Sequence, residues 1–345
     1  MNLRRPVQIG ATIVLLAAAT VALRPAFTWP VPPPGVATLE QVTLGGTPQW
    51  ILIRGRNVAN PIVLFLHGGP GMPSMYLAHA FQRALEEDFV VVHWDRRGAG
   101  KSYASGMSPK LMGVTEELSD AEQLIHLLLE RFGQRQVILV GHSYGSYLGA
   151  ELTARVPNLV QAYVGVGQIA CGTAEQSALQ DTWLRREALA AGDAATVAAV
   201  GRHLPWDRES ALFKYGGEVI GMKSFLPLVM IGLRSPEYTL WDALNVPKGV
   251  QFTHKYLKFD AGNDLTLAPM DTLYKFSVPV YFFTGRHDMT APASCALRYF
   301  AKLQAPSKYF VWFEHSAHFP FLEEPRQFHD ELVKVARATG ESRHD

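Results

Sequence analysis

The chain has 345 residues, 48% of them hydrophobic and 18% charged, which fits a globular protein with one large α/β domain or two smaller ones. Lys and Arg number 32 against 31 Asp and Glu, a net charge of +1, and no basic cluster stands out, so no nucleic-acid partner is expected. Cys171 and Cys295 are too few for a disulfide framework and lack metal-ligand spacing; a single bridge in an oxidising compartment and two buried free thiols both fit them.

Arg4 and Arg5 precede an uncharged run, Val7 to Leu23. This pattern reads as an export signal or a signal anchor. At about 1.5 Å per residue the run barely spans a ~30 Å hydrocarbon core. Ala17-x-Ala19 or Thr20-x-Ala22 offers a cleavage site, and the leading arginines predict a cytoplasmic N-terminus with the body exported or membrane-anchored outside. A buried core helix is the competing reading; against it, Pro25, Pro30, Pro32, Pro33 and Pro34 follow as a stiff spacer. Residues 1–35 are therefore set apart from the fold as a candidate membrane tether.

Thr38 to Thr43 and Gln49 to Arg54 predict a hairpin, with Gly45-Gly46 near its turn. Ile62 to Leu66 is a continuous apolar strand that runs into His67-Gly68-Gly69-Pro70-Gly71, and Ala78, Phe81 and Leu85 then recur at helical spacing. Phe89 to Trp94 predicts the next strand, closed by Asp95-Arg96-Arg97-Gly98-Ala99-Gly100-Lys101-Ser102. Thr115 can cap a helix with an apolar stripe of Leu118, Ala121, Leu124, Leu128 and Phe132. Val137 to Val140 is another buried strand, and Tyr144 to Ala154 carries helix-compatible residues. Ala162 to Val166, Val280 to Thr284 and Lys308 to Phe313 complete eight strands, and Gln327 to Thr339 looks like a terminal helix.

Strands alternating with helices imply an α/β fold with a mostly parallel sheet covered on both faces. From about Gly172 to Tyr274 no buried-strand pattern occurs, and so long a stretch is not a loop; it predicts an inserted helical lid. The expected organisation is a leader and spacer over 1–35, core over 36–171, lid over 172–274 and core again over 275–345.

The chemistry centres on Gly141-His142-Ser143-Tyr144-Gly145, a G-x-S-x-G motif between a strand and a helix. That context presents a serine on a sharp, strained turn, with glycines where side chains would collide with the neighbouring strand and helix. A serine hydroxyl needs a base, and the base an orienting acid. In this strand-turn-helix arrangement the order along the chain is serine, acid, histidine. Asp288 follows the Val280 to Thr284 strand; Asp271 and Asp264 are the alternatives. Lys308 to Phe313 runs into both His315 and His318; His318 is preferred, because His315 follows the strand almost directly. The Tyr144 N–H supplies one donor for an oxyanion, and the His67 to Gly71 loop, at Gly69, the second. Gly98-Ala99-Gly100-Lys101-Ser102 mimics the end of a phosphate-binding loop, but Asp95 stands where that motif needs its first glycine, so the stretch reads as a structural turn.

Taken together, His67-Gly68-Gly69-Pro70-Gly71, Asp95-Arg96-Arg97-Gly98-x-Gly-x-Ser102, Gly141-His142-Ser143-Tyr144-Gly145-Ser146 and His318 followed by Glu323-Glu324-Pro325 resemble the α/β-hydrolase superfamily. Within it they are most similar to the proline iminopeptidase family, over roughly Val36 to Thr339. That family commonly has Gly before the nucleophile and Trp after it, where this chain has His142 and Tyr144. The resemblance implies a nucleophile Ser143, an acid Asp288, a base His318, oxyanion donors at Gly69 and Tyr144, and no metal or organic cofactor. It also implies that lid carboxylates hold a free substrate amine, with Glu175, Glu187, Glu209, Glu218 and Glu237 as candidates and none singled out. The expected substrate is a small peptide with an exposed N-terminal residue. A carboxylesterase on small apolar esters is the alternative, and a non-catalytic binding protein on the same fold a third.

Overall fold

The computed structural model describes residues 27–201, 205–259 and 268–341; the run Val7 to Leu23 and the candidate acid Asp264 lie outside them. Its frame is one eight-stranded sheet: β1 (Val36–Leu44), β2 (Thr47–Gly55), β3 (Ile62–Leu66), β4 (Val90–Asp95), β5 (Val137–His142), β6 (Val160–Val166), β7 (Val280–Gly285) and β8 (Lys308–Phe313). Their spatial order is β1-β2-β4-β3-β5-β6-β7-β8. β1 pairs antiparallel with β2, and β2 with β4; every other pairing is parallel.

The sequence explains the placement of edge and centre. β3 and β5 are apolar runs buried at every position, as strands covered on both faces must be. β1 alternates half-buried with exposed residues, the pattern of an edge strand with one wet face. Gly45 (φ 53°) and Gly46 (φ 72°) turn β1 into β2 with two left-handed residues, a backbone that matches the twist of a tight hairpin.

One face of the sheet packs under the helices Val114–Phe132, Tyr144–Arg155 and Ala293–Lys302. Leu64, Leu66, Leu124, Leu128 and Leu148 meet there. On the other face Phe65, Val91 and Phe283 meet Phe81, Phe321 and Phe328, the last from the terminal helix Pro325–Glu341. Gly113, in extended backbone, is the N-cap of the Val114–Phe132 helix, so Thr115 lies inside its first turn rather than capping it. The helical spacing of Ala78, Phe81 and Leu85 corresponds to short separate turns, Met75–Leu77, Ala78–Phe81 and Leu85–Asp88.

Between β6 and β7 the described residues form helices and no strand, chiefly Thr173–Ala190, Pro205–Tyr215, Leu226–Leu233 and Leu240–Tyr256. These make the helical lid. Cys171 and Cys295 form a disulfide, Cα to Cα 5.6 Å, which tethers the start of the lid to the helix Ala293–Lys302. Among the described residues no helix is long and apolar enough to cross a membrane.

Candidate active site

β5 ends at His142, and the chain turns into the helix Tyr144–Arg155 through Ser143, at φ 54° and ψ −124°. Ser143 is the one non-glycine residue with positive φ among the described residues. Such strain of about 1–3 kcal/mol persists only where the surroundings enforce it. Here they do. A Cβ on Gly141 would lie 2.4 Å from the Gly145 carbonyl oxygen, and one on Gly145 would lie 2.1 Å from that of Leu66. The turn is further held by the Ser143 N–H donating to Val166 O (3.0 Å) and by Ser146 Oγ donating to Ser143 O (2.6 Å).

β7 and β8 deliver the other two groups. His318 Nδ1 donates to Asp288 Oδ2 at 2.8 Å, and Asp288 Oδ1 accepts from the Ala291 N–H at 2.8 Å. Both side chains are buried. His318 Nε2 is also buried, and it has no hydrogen-bond partner among the described residues. Burial alone would lower this imidazole, but the Asp288 carboxylate, backed by Glu218 and Glu323, outweighs it and holds His318 above its ordinary value. An imidazole anchored by a carboxylate at one nitrogen and open at the other can take up and return a proton.

The pair sits against the turn after β6. A Cβ on Gly167 would lie 2.6 Å from His318 Cε1, and the preceding residue, Val166, is the one that accepts from the Ser143 N–H. His142 Nε2 donates to His318 O at 2.9 Å, while its ring packs on Phe319 and Phe321. Burial, reinforced by the neighbouring His318 charge, holds His142 well below its ordinary value, and the neutral tautomer protonated at Nε2 makes that bond. Of the rival sites, His315 is exposed, and Asp271 is an exposed partner of Lys302 at 2.7 Å.

Gly68 and Gly69 bring backbone against the serine. A Cβ on Gly68 would stand 3.0 Å from Ser143 Cβ, and Gly69 adopts φ 110°. Tyr144 is the first residue of its helix, where N–H groups have no partner within the helix. Arg96, which the sequence offers only as part of a turn, fixes this loop. Its Nη1 donates to His67 O (2.6 Å) and its Nη2 to Gly68 O (3.1 Å). Arg96 also pairs with Glu117 at 3.4 Å, and Glu117 Oε2 accepts from Tyr144 Oη at 2.8 Å. One buried network thus ties the glycine loop to the helix that follows the serine. The rest of the stretch is occupied by structure: Arg97 pairs with Asp120 (2.6 Å), and Asp95 accepts from the Lys101 N–H (2.8 Å) and from Tyr238 Oη.

A family model described as an alpha/beta hydrolase fold matches residues 61–325. The chain belongs to that family. The hydrolase is 31% identical to the probable aminopeptidase YbaC of Bacillus subtilis (strain 168) over 322 residues, 88% of this chain and 97% of that protein. It is 25% identical to the proline iminopeptidase of Heyndrickxia coagulans over 272 residues, 77% of this chain and 87% of the relative. The crystal structure of a Mycobacterium smegmatis proline iminopeptidase superposes with a TM-score of 0.63 at 18% identity, covering 88% of this chain and 98% of that one; this likeness concerns the fold.

The lid glutamates of the hydrolase separate by environment. Glu175 pairs with Arg298 and Glu187 with Arg186, each at 2.6 Å towards solvent. Glu237 is buried and accepts from Ser235 Oγ at 2.8 Å. Glu218 differs from all of these: its main-chain oxygen accepts from the His318 N–H at 2.9 Å, and its carboxylate accepts from Thr290 Oγ1. Burial pushes the Glu218 carboxyl up to about 7 against the pull of His318, with the charge of half-buried Glu209 adding to the rise. The Glu323-Glu324 pair is structural support for the histidine loop. Glu323 Oε2 accepts from the N–H groups of Ala317 (3.0 Å) and Phe319 (3.1 Å), and Glu324 Oε2 from that of His315 (2.9 Å).

Proposed function

We propose that the hydrolase is a serine aminopeptidase of the proline iminopeptidase type, working through an acyl-enzyme. His318 Nε2 removes the proton from Ser143 Oγ as the oxygen attacks the substrate carbonyl carbon. The carbonyl oxygen becomes an oxyanion facing the N–H groups of Tyr144 and Gly69, where losing one donor costs about 3 kcal/mol of barrier. His318 then returns the proton to the leaving amine, and the C–N bond breaks. Water, deprotonated by the same imidazole, releases the acyl group. The observation that carries this reading is the buried Asp288–His318 bond near the strained serine turn, with Nε2 unpaired among the described residues.

The aminopeptidase part rests on Glu218 together with Glu209. Glu218, against the histidine loop and raised to about 7 by burial, feels the charge of Glu209, and together they make a site that a substrate ammonium group would neutralise. The names of the relatives point the same way. We also propose that the body lies outside the cytoplasm, because the Cys171–Cys295 bridge suits an oxidising compartment and the leader pattern suits export.

The test compares an unblocked prolyl anilide, an alanyl anilide and a short-chain nitrophenyl ester, with Ser143→Ala as the blank. Cleavage of the prolyl substrate that disappears when its amine is acylated supports the aminopeptidase. Ester turnover without anilide cleavage overturns the peptidase reading in favour of a carboxylesterase, and no turnover of any substrate by folded protein removes the enzyme reading.

A further inference from the structure

Among the described residues, the most exposed large hydrophobic side chain, Trp241, lies on the lid. The helix Leu226–Leu233 carries no charge; Leu228 is buried in the core, while Leu226 and Val229 face solvent. The next helix, in contact with it, opens with Leu240 (64% exposed), Trp241 (74%) and Leu244 (56%). Ile220 is exposed as well; it lies two residues beyond Glu218, and its N–H donates to Glu323 Oε1 at 2.7 Å, next to the histidine loop. A concentration of apolar side chains of this kind on a protein surface marks an interaction site.

Three further observations identify what covers it. Phe27 and Trp29, the first aromatic residues described, are exposed and pack edge to face at 4.9 Å; in sequence they follow the uncharged run Val7 to Leu23. A line of charges leads from Trp29 towards the lid. Trp29 O accepts from Arg54 Nη2 at 2.7 Å, Arg54 pairs with Glu86, and Glu237, three residues before Leu240, lies within reach of both charges. Finally, the rim is basic. Lys223, Arg234 and Lys248 are exposed and make no salt bridge among the described residues, whereas Asp242 is engaged by Lys101 at 2.7 Å and Glu237 is buried.

We infer that this lid face seats on an anionic lipid bilayer, with Leu226, Leu240, Trp241 and Leu244 in the boundary between headgroups and acyl chains and Lys223, Arg234 and Lys248 at the headgroups. An aromatic and aliphatic face bordered by Lys and Arg is the composition that binds such an interface. The inference depends on the surface alone and holds whichever acyl group the site accepts.

The full chain, reconstituted in vesicles of phosphatidylglycerol and phosphatidylcholine, tests it by tryptophan fluorescence with ordinary or bromine-labelled acyl chains. The difference between wild type and Trp241→Phe isolates the Trp241 emission, and at so exposed a position this substitution leaves the fold intact. That emission should lose most of its intensity in brominated vesicles, and the loss should shrink when Leu240→Ser and Leu244→Ser are introduced together. Trp241 emission that is insensitive to bromine overturns the inference. If it is insensitive to bromine yet shifts to the blue as the protein-to-lipid ratio rises, the face belongs to a second copy of the chain, which overturns it equally.

Discussion

At the scale of the residue, the two departures from the proline iminopeptidase pattern acquire physical roles. His142 donates to His318 O, and Tyr144 Oη donates to Glu117, so both flanks of Ser143 are fastened to other elements. Glu218 offers a pH test. Its carboxylate, ionised above about 7, favours the protonated form of His318, so its removal must lower the histidine's pKa. In Glu218→Gln the acidic limb of kcat/KM for a neutral ester should therefore move to lower pH, while KM for an unblocked aminoacyl anilide rises. A pH–rate profile checks both, and an unmoved limb would separate Glu218 from the histidine. Arg96 carries a different prediction. It is wholly buried with Glu117 and clamps two carbonyls, so Arg96→Met leaves a buried carboxylate unpaired and should cost about 3–5 kcal/mol of stability. Glu117→Gln in the same chain should recover part of that loss in thermal unfolding, because no unpaired charge then remains buried.

At the scale of the element, the serine turn depends on close approach of backbone. Gly145→Ala illustrates the balance. An alanine inside a helix gains about 1 kcal/mol over glycine. A Cβ 2.1 Å from the Leu66 carbonyl oxygen and 2.5 Å from that of His67, both backbone atoms, forces β3 away at a cost of about 1–3 kcal/mol or more. Net destabilisation and loss of turnover should follow, whereas Gly340→Ala, with open space around its Cβ, should be neutral or slightly stabilising in urea unfolding. Most of the sheet was legible in the sequence, because central parallel strands such as Ile62 to Leu66 must be apolar on both faces and so appear as uninterrupted runs. The glycine spacing of the serine turn was legible for the steric reason just given. Arg96 was not: its partners are carbonyls of a distant loop, and main-chain acceptors leave no trace in side-chain identity. Nor was the separation of Glu218 from the other lid glutamates. It depends on Glu218 O meeting the His318 N–H, a contact across most of the lid that no local period encodes.

At the scale of the whole molecule, the inserted lid is joined to the sheet by more than its two chain connections. Cys171 precedes the first lid helix, and Cys295 lies in the helix that begins just after the Asp288 loop, where the Ala293 N–H donates to Asp288 O at 3.1 Å. Arg298 Nη2 adds a contact to Cys171 Sγ (2.8 Å) and to Glu175 (2.6 Å), so the bridge is one point in a seam between lid and core. The two cysteines are 124 residues apart in sequence, and closing so long a loop removes enough freedom from the unfolded chain to be worth about 5 kcal/mol in the chain-entropy model, with native bridges in practice contributing about 2–5. The paired Cys171→Ser and Cys295→Ser replacement should therefore lower the urea midpoint by that much stability, and a reducing agent should do the same to the wild type but nothing to the variant. The Asp288–His318 bond does not pass through either sulfur, so turnover measured well below the unfolding transition should persist in the reduced protein. Turnover lost on reduction while the urea midpoint stays fixed would give the bridge a different part: holding the acid loop in place rather than restricting the unfolded chain.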